Sequence, residues 1–256
     1  LAQLLANPVL GLTSLNAAIK GTMSGSGSIA ATLNVEVHRF DFNSYPYHDI
    51  FADALYMNDS IHLQAEVRDS LVPLRLEVSG NHITTDNPYV LLNAEARHIL
   101  FDTLRFIPQY EGADLYAIIR AEVLNFDLDK MKARLDVDSL QLKTDRGVFY
   151  QDSVRVLMQN EEGGYKALSI NSQLVEAAAY GTFSFSTLPT ALTNSLSQYV
   201  NAFIPYQEVD SASNDDINLF VLLRNTEFLS NTISLPVVIP DSAMVSAYYN
   251  NRNNNI

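Results

Sequence analysis

Apolar and polar residues alternate along much of this chain, and a two-residue period puts successive side chains on opposite faces of a pleated strand. Leu33, Val35 and Val37 alternate with Asn34, Glu36 and His38. Phe40 and Phe42 continue the apolar series one residue out of phase, which predicts a β-bulge at Arg39. Ile61, Leu63, Ala65 and Val67 alternate with His62, Gln64, Glu66 and Arg68, and Leu74, Leu76 and Val78 with Arg75, Glu77 and Ser79, so these two stretches read as a hairpin-like pair. Further strands are predicted over 90–96, 117–126, 133–142, 148–158, 168–174, 181–185 and 217–223. Turn-forming clusters separate them at Asp69-Ser70, Ser79-Gly80-Asn81, Thr144-Asp145-Arg146-Gly147 and Asn160-Glu161-Glu162-Gly163-Gly164. The economical arrangement is an antiparallel meander.

An Asp-Ser-aliphatic string recurs at Asp59-Ser60-Ile61, Asp69-Ser70-Leu71, Asp138-Ser139-Leu140 and Asp152-Ser153-Val154, and reads as a local turn cap that opens a strand. Helical spacing appears over 187–204, where Leu188, Leu192, Leu196, Tyr199, Val200 and Phe203 recur every three or four residues behind Thr187 as a cap and Pro189 in the first turn. A second helix is possible over 1–20, against a competing strand from Leu15 to Gly21. The polar stretch 207–216 reads as a linker, the Asn-rich 250–255 as a mobile end, and the Gly- and Ser-rich 21–28 as a turn without the Lys of a phosphate cradle. All 256 residues are read as one β-rich segment of a larger protein, because the start has neither Met nor a basic leader.

Composition narrows the chemistry. Sixteen Lys and Arg against 29 Asp and Glu give a formal charge of −13, which argues against nucleic acid as a partner. Cysteine is absent, so neither disulfides nor thiolate metal sites are available. The five histidines, His38, His48, His62, His82 and His98, form no i, i+2 or i, i+4 pair that could share a metal. No Gly-x-Ser-x-Gly elbow occurs, and the carboxylate pairs Asp127 with Asp129 and Asp136 with Asp138 read as solvated strand faces. No catalytic residue, metal or cofactor is expected.

What remains is much strand with one apolar face, which either a closed sandwich or an open, curled trough would satisfy. The string Leu33-Asn34-Val35-Glu36-Val37-His38-Arg39-Phe40-Asp41-Phe42-Asn43-Ser44-Tyr45-Pro46-Tyr47-His48-Asp49-Ile50 resembles the recurrent strand-turn-strand of Bacteroides-type TamB proteins, in the TamB/AsmA-like translocation and assembly module family. Ser44 stands where that string usually has Gly. Tyr180-Gly181-Thr182-Phe183-Ser184-Phe185-Ser186-Thr187-Leu188-Pro189 and Asn218-Leu219-Phe220-Val221-Leu222-Leu223-Arg224-Asn225-Thr226 are similar to the same family, in the same order.

The resemblance implies a mainly β fold: an elongated, antiparallel, curled sheet forming a groove, with one or two short amphipathic helices. It further implies a periplasmic location, an inner-membrane anchor outside this chain, an outer-membrane barrel insertase of the TamA kind as partner, and roles in phospholipid transport and outer-membrane biogenesis. Under it, Leu33, Val35, Val37, Ile61, Leu63, Val67, Leu74, Leu76 and Val78 are the expected groove lining for phospholipid acyl chains. The competing expectation is a structural or adhesive β domain without ligand, its apolar face sealed by its own strands. An envelope hydrolase ranks last.

Overall fold

A computed structural model describes residues 10–23, 29–42, 45–100, 112–144, 147–185, 188, 193, 215–224 and 242–250. Thirteen strands account for most of them: β1 (Leu10–Met23), β2 (Ile29–Phe42), β3 (Tyr45–Met57), β4 (Ser60–Val67), β5 (Leu74–Asn81), β6 (Tyr89–Leu100), β7 (Asp114–Leu124), β8 (Lys132–Thr144), β9 (Gly147–Asn160), β10 (Tyr165–Ser172), β11 (Val175–Thr182), β12 (Asp216–Leu223) and β13 (Met244–Asn250). They form an open antiparallel sheet in which each strand lies beside its chain neighbour, so β1 and β13 are the edges. The fold is the predicted meander, almost wholly β. Two compact units are distinguished, Leu1–Glu122 with Asp136–Ser153 and Val123–Leu135 with Val154–Ile256.

Several expectations are corrected. The possible first helix is β1, because Leu15, Ala17 and Ile19 alternate in step with β2 and pair with Val37, Val35 and Leu33. Of the predicted helix 187–204, Leu188 and Thr193 are described and both are helical; the rest lies outside the described residues. The linker 207–216 and the tail 250–255 are also largely outside them, although Asp216 opens β12 and Asn250 closes β13. Gly21 belongs to β1 rather than to a turn. Ser79-Gly80-Asn81 ends β5 instead of turning, since Gly80 lacks the Cβ that would collide with Ile83 and the Tyr89 carbonyl. The strand expected at 181–185 is the earlier β11, whose alanine run conceals any alternation, and β13 was not anticipated.

The phase change in β2 is real, and it falls one residue earlier than predicted. Ser14 pairs with Arg39 but Leu15 with Val37, so His38 is the extra residue against β1. β3 inverts with it: Asp49 adopts φ 53°, and β2 and β3 remain in register on both sides, as Val37 opposite Ile50 and Phe40 opposite Tyr47. His98 within β6 and Ser139 within β8 have the same φ of 53°, a left-handed angle that non-glycine residues seldom adopt. Ala133, Leu135 and Val137 precede Ser139, and Leu140 and Leu142 follow out of phase. The Asp-Ser strings at 138–140 and 152–154 therefore lie inside strands, while 59–61 opens β4 and 69–71 lies between β4 and β5.

Candidate apolar binding face

Residues directly opposed on antiparallel strands point to the same face, so the registers of β1 to β6 define that face row by row. One row runs Ile19, Leu33, Ala54, Leu63, Val78, Leu92. Its neighbours run Ala17, Val35, Ala52, Ala65, Leu76, Ala94 and Leu15, Val37, Ile50, Val67, Leu74, Ala96. A fourth runs Gly21, Ala31, Tyr56, Ile61, Gly80, Val90. All nine residues expected to line a groove fall in these rows on one face, and all nine are half-buried. At the β1 edge the face is wetter, with Ile19 74% and Leu15 46% exposed. Six strands about 4.8 Å apart and four rows about 6.8 Å apart give an apolar area of roughly 500 Å², at the upper end of what a soluble surface usually shows.

One end of this face is aromatic and covered. Beyond the phase inversion, Phe40, Phe42, Tyr45 and Tyr47 cluster, with Tyr45 and Tyr47 edge to face at 4.8 Å between ring centres. Val72, Ala96 and Ile99 are buried there against both tyrosines, Leu71, Leu74 and Leu115. Buried Asp69 holds the arrangement: its carboxylate accepts from the Tyr45 hydroxyl (2.7 Å), the His48 N–H (3.1 Å) and the Leu71 N–H (2.9 Å). Burial, and then the hydrogen bond to Asp69, push the Tyr45 phenol well above its ordinary range, so it is a permanent donor.

The opposite face of β3 to β6 is polar, with Asp53, Gln64, Glu77 and Asn93 in one row and Phe51, Glu66, Arg75 and Glu95 in the next. Glu66 pairs with Arg68 (2.7 Å) and Arg75 (3.1 Å), and hydrogen bonds from both hold its carboxyl below the usual range. A depression of about 770 Å³ is lined by these charges together with Arg120, Ile118 and Ile119, and is bordered by Ala65, Leu76 and Ala94 of the second apolar row.

The second unit repeats the plan in β9 to β13. Rows Val156, Ile170, Ala177, Val221, Val245 and Met158, Leu168, Ala179, Leu219, Ala247 share one face with Ile217 and Tyr249. Phe183, Phe185 and Leu188 are buried on it against Ala179, Ile217, Leu219 and Tyr249. Asp129, in the β7–β8 connection, accepts from Lys166 Nζ (2.8 Å), Ser184 Oγ (2.6 Å) and the Phe185 N–H (2.8 Å). Burial alone would raise its carboxyl, but those three donors hold it below its ordinary value. Asp127 and Asp129 therefore lie in a turn, not on a strand face; both side chains reach solvent, Asp127 beside Lys130 and Asp129 on the side away from Lys166.

Comparison with family models, with curated proteins and with solved structures finds no match in any of the three. Function must therefore be argued from the faces themselves. Among the described residues no three His, Asp or Glu side chains gather as metal ligands, and no helix is long and apolar enough to cross a membrane. Sequence reasoning found the aliphatic rows and missed both covered ends. The one available signal was Lys166, which stands in the apolar phase of β10 with Leu168 and Ile170; Asp69 carried none, since β4 pairs with the Ile50–Met57 part of β3 and not with Tyr45 or Tyr47.

Proposed function

We propose that this chain is a segment of a TamB-like envelope protein whose apolar β face shelters phospholipid acyl chains in transit between membranes. The observation that carries the reading is the four in-register apolar rows across β1 to β6, of which the rows of Ile19, Ala17 and Gly21 join neither buried cluster among the described residues. Their extent of about 20 Å along the strands exceeds the roughly 15 Å depth of one bilayer leaflet, so an acyl chain fits within it. Head groups would stay wet at the rim. The family assignment rests on the three resembling strings. With it come the periplasmic setting, an inner-membrane anchor elsewhere in the full-length protein, and a TamA-like barrel insertase as partner in outer-membrane assembly.

A photo-reactive amino acid at position 76 of the purified chain should capture co-purifying phospholipid, identified by mass spectrometry, while the same probe at position 77, on the polar face, should not. Equal capture at both, or lipid-free protein after mild purification, overturns the reading. A purely structural role draws its support from the covered ends, where Val72 and Ile99, and Phe183 and Phe185, are sealed by the chain itself. Lipid-free protein would favour that role.

A further inference from the structure

We propose that the face of β10 to β13 opposite the apolar one binds a neutral glycan, whose sugar rings stack on Tyr165, Tyr180 and Tyr248. The proposal is independent of the acyl-chain reading, since it uses the other side of the sheet. In register, Tyr165, Thr182, Asp216 and Asn250 form one row of this face. The next row holds Ala167, Tyr180, Asn218 and Tyr248. The three tyrosines are 43%, 42% and 46% exposed, whereas Tyr249, one residue along and on the apolar face, is 3% exposed. A depression of about 400 Å³ opens here, lined by Tyr180, Asn218, Phe220 and Tyr248 and bordered by Leu219 and Ala247 of the apolar face.

Asn218 stands between Tyr180 and Tyr248 in their row, so the two rings are not cross-strand neighbours and ring-on-ring pairing does not account for them. With strands about 4.8 Å apart, two tyrosines two strands apart are separated by about 10 Å, the span of two linked sugar rings. Each sugar offers weakly positive C–H groups to the negative face of an aromatic ring and hydroxyls to the amide between them. Tyr248 is held ready, because Asn250 Nδ2 donates to its hydroxyl (3.0 Å) and also reaches the Asp216 carboxylate (3.4 Å). Such preorganisation lowers the ordering cost of binding. Neither row carries Lys or Arg, and their one charge is the Asp216 carboxylate, which accepts from hydroxyls and repels phosphate. Stacking platforms for nucleic acid line a basic groove instead. A lipid tail or an apolar protein surface would desolvate Thr182, Asp216 and Asn218 without pairing them.

Binding of the whole chain to an array of neutral and acidic oligosaccharides tests this, with the best neutral one carried into calorimetry. Tyr180→Ala and Tyr248→Ala should each weaken its Kd at least about fivefold, as loss of one stacked ring does. Tyr180→Phe keeps the ring and should bind as the wild type does, and so should Tyr150→Ala, which removes an exposed tyrosine of the first unit. Urea unfolding shows which variants are folded. Should either alanine variant not fold, Tyr180→Leu and Tyr248→Leu keep apolar bulk without the ring, and the same loss is required of them. Failure to bind any neutral oligosaccharide, preference for acidic ones, or binding that survives both ring removals in folded protein overturns the proposal. Self-association that Tyr180→Ala abolishes, with no glycan bound, would make this face an interface between copies of the chain and overturns it equally.

Discussion

Truncating Leu63 and, separately, its neighbour Gln64 to alanine isolates the contribution of the apolar face, because adjacent residues on one strand point to opposite sides. Leu63 stands between Ala54 and Val78 in its row, and neither neighbour can reach far enough to fill the gap. Leu63→Ala removes three carbons, worth up to about 2.4 kcal/mol at roughly 0.8 kcal/mol per fully buried methylene. Leu63 is already partly buried by the sheet, so at most about a third of that is in play, or about 0.8 kcal/mol and a roughly fourfold weaker Kd. Titration with a fluorescent polyene fatty acid measures it, with urea unfolding as a check that the sheet is intact. Gln64→Ala should leave the Kd unchanged. Equal loss from both substitutions, or no loss from Leu63→Ala in folded protein, would refute the assignment of the binding face.

Gly181→Ala should destabilise the second unit by about 3 kcal/mol or more, seen as a lower urea midpoint, since φ there is 145° and a Cβ would overlap the Asp216 backbone. Tyr45→Phe takes one donor from buried Asp69 but leaves the His48 and Leu71 N–H groups, so a loss of about 1 kcal/mol in urea unfolding is expected, with the loosening localised by exchange at the β4–β5 connection. Asp129 has a folded-state pKa below its ordinary 3.8, so its stabilisation is complete above that value and is lost as pH falls through the lower, folded value. Exchange protection of the Phe185 amide, which donates to Asp129, corrected for intrinsic exchange, should therefore be flat from pH 7 down to about 4.5 and fall only in stronger acid; a fall between pH 7 and 5 would contradict it.

The strands with strict alternation were legible because half-buried sheets demand it. β2, β4 and β5 carry Leu33, Leu63 and Leu76 in a period that no helix could bury on one side. β11 and β13 were not legible: Ala177, Ala178 and Ala179 look alike on both faces, and their sides are set by pairing with β10 and β12. The phase inversion could be read from Val37 and Phe40, but its placement at His38 depends on β1, a long-range partner. Asp69 and Asp129 were opaque for a related reason. An aspartate in a turn is ordinarily solvated, and nothing local announces that Tyr45 or Lys166 will fold back onto it.

The openness of the middle rows bears on how tightly anything could bind there. All nine aliphatic side chains are already half-buried, so covering them completely would recover only a fraction of the about 1.5–3 kcal/mol that each complete burial is worth. The acyl chain buries its own side as well, at about 0.8 kcal/mol per methylene, and the sum is offset by about 4–15 kcal/mol of lost translational and rotational freedom, so a bound chain survives mild purification yet exchanges readily with a membrane. Exchangeable occupancy suits a surface along which lipid passes, whereas a storage site would need the enclosure that, among the described residues, the two buried clusters have. Mixing lipid-loaded protein with vesicles of isotopically labelled phospholipid should then replace the bound lipid within seconds to minutes, followed by mass spectrometry of the recovered protein. Bound lipid that persists for hours would mean an enclosed site, and the open face would not be where it sits.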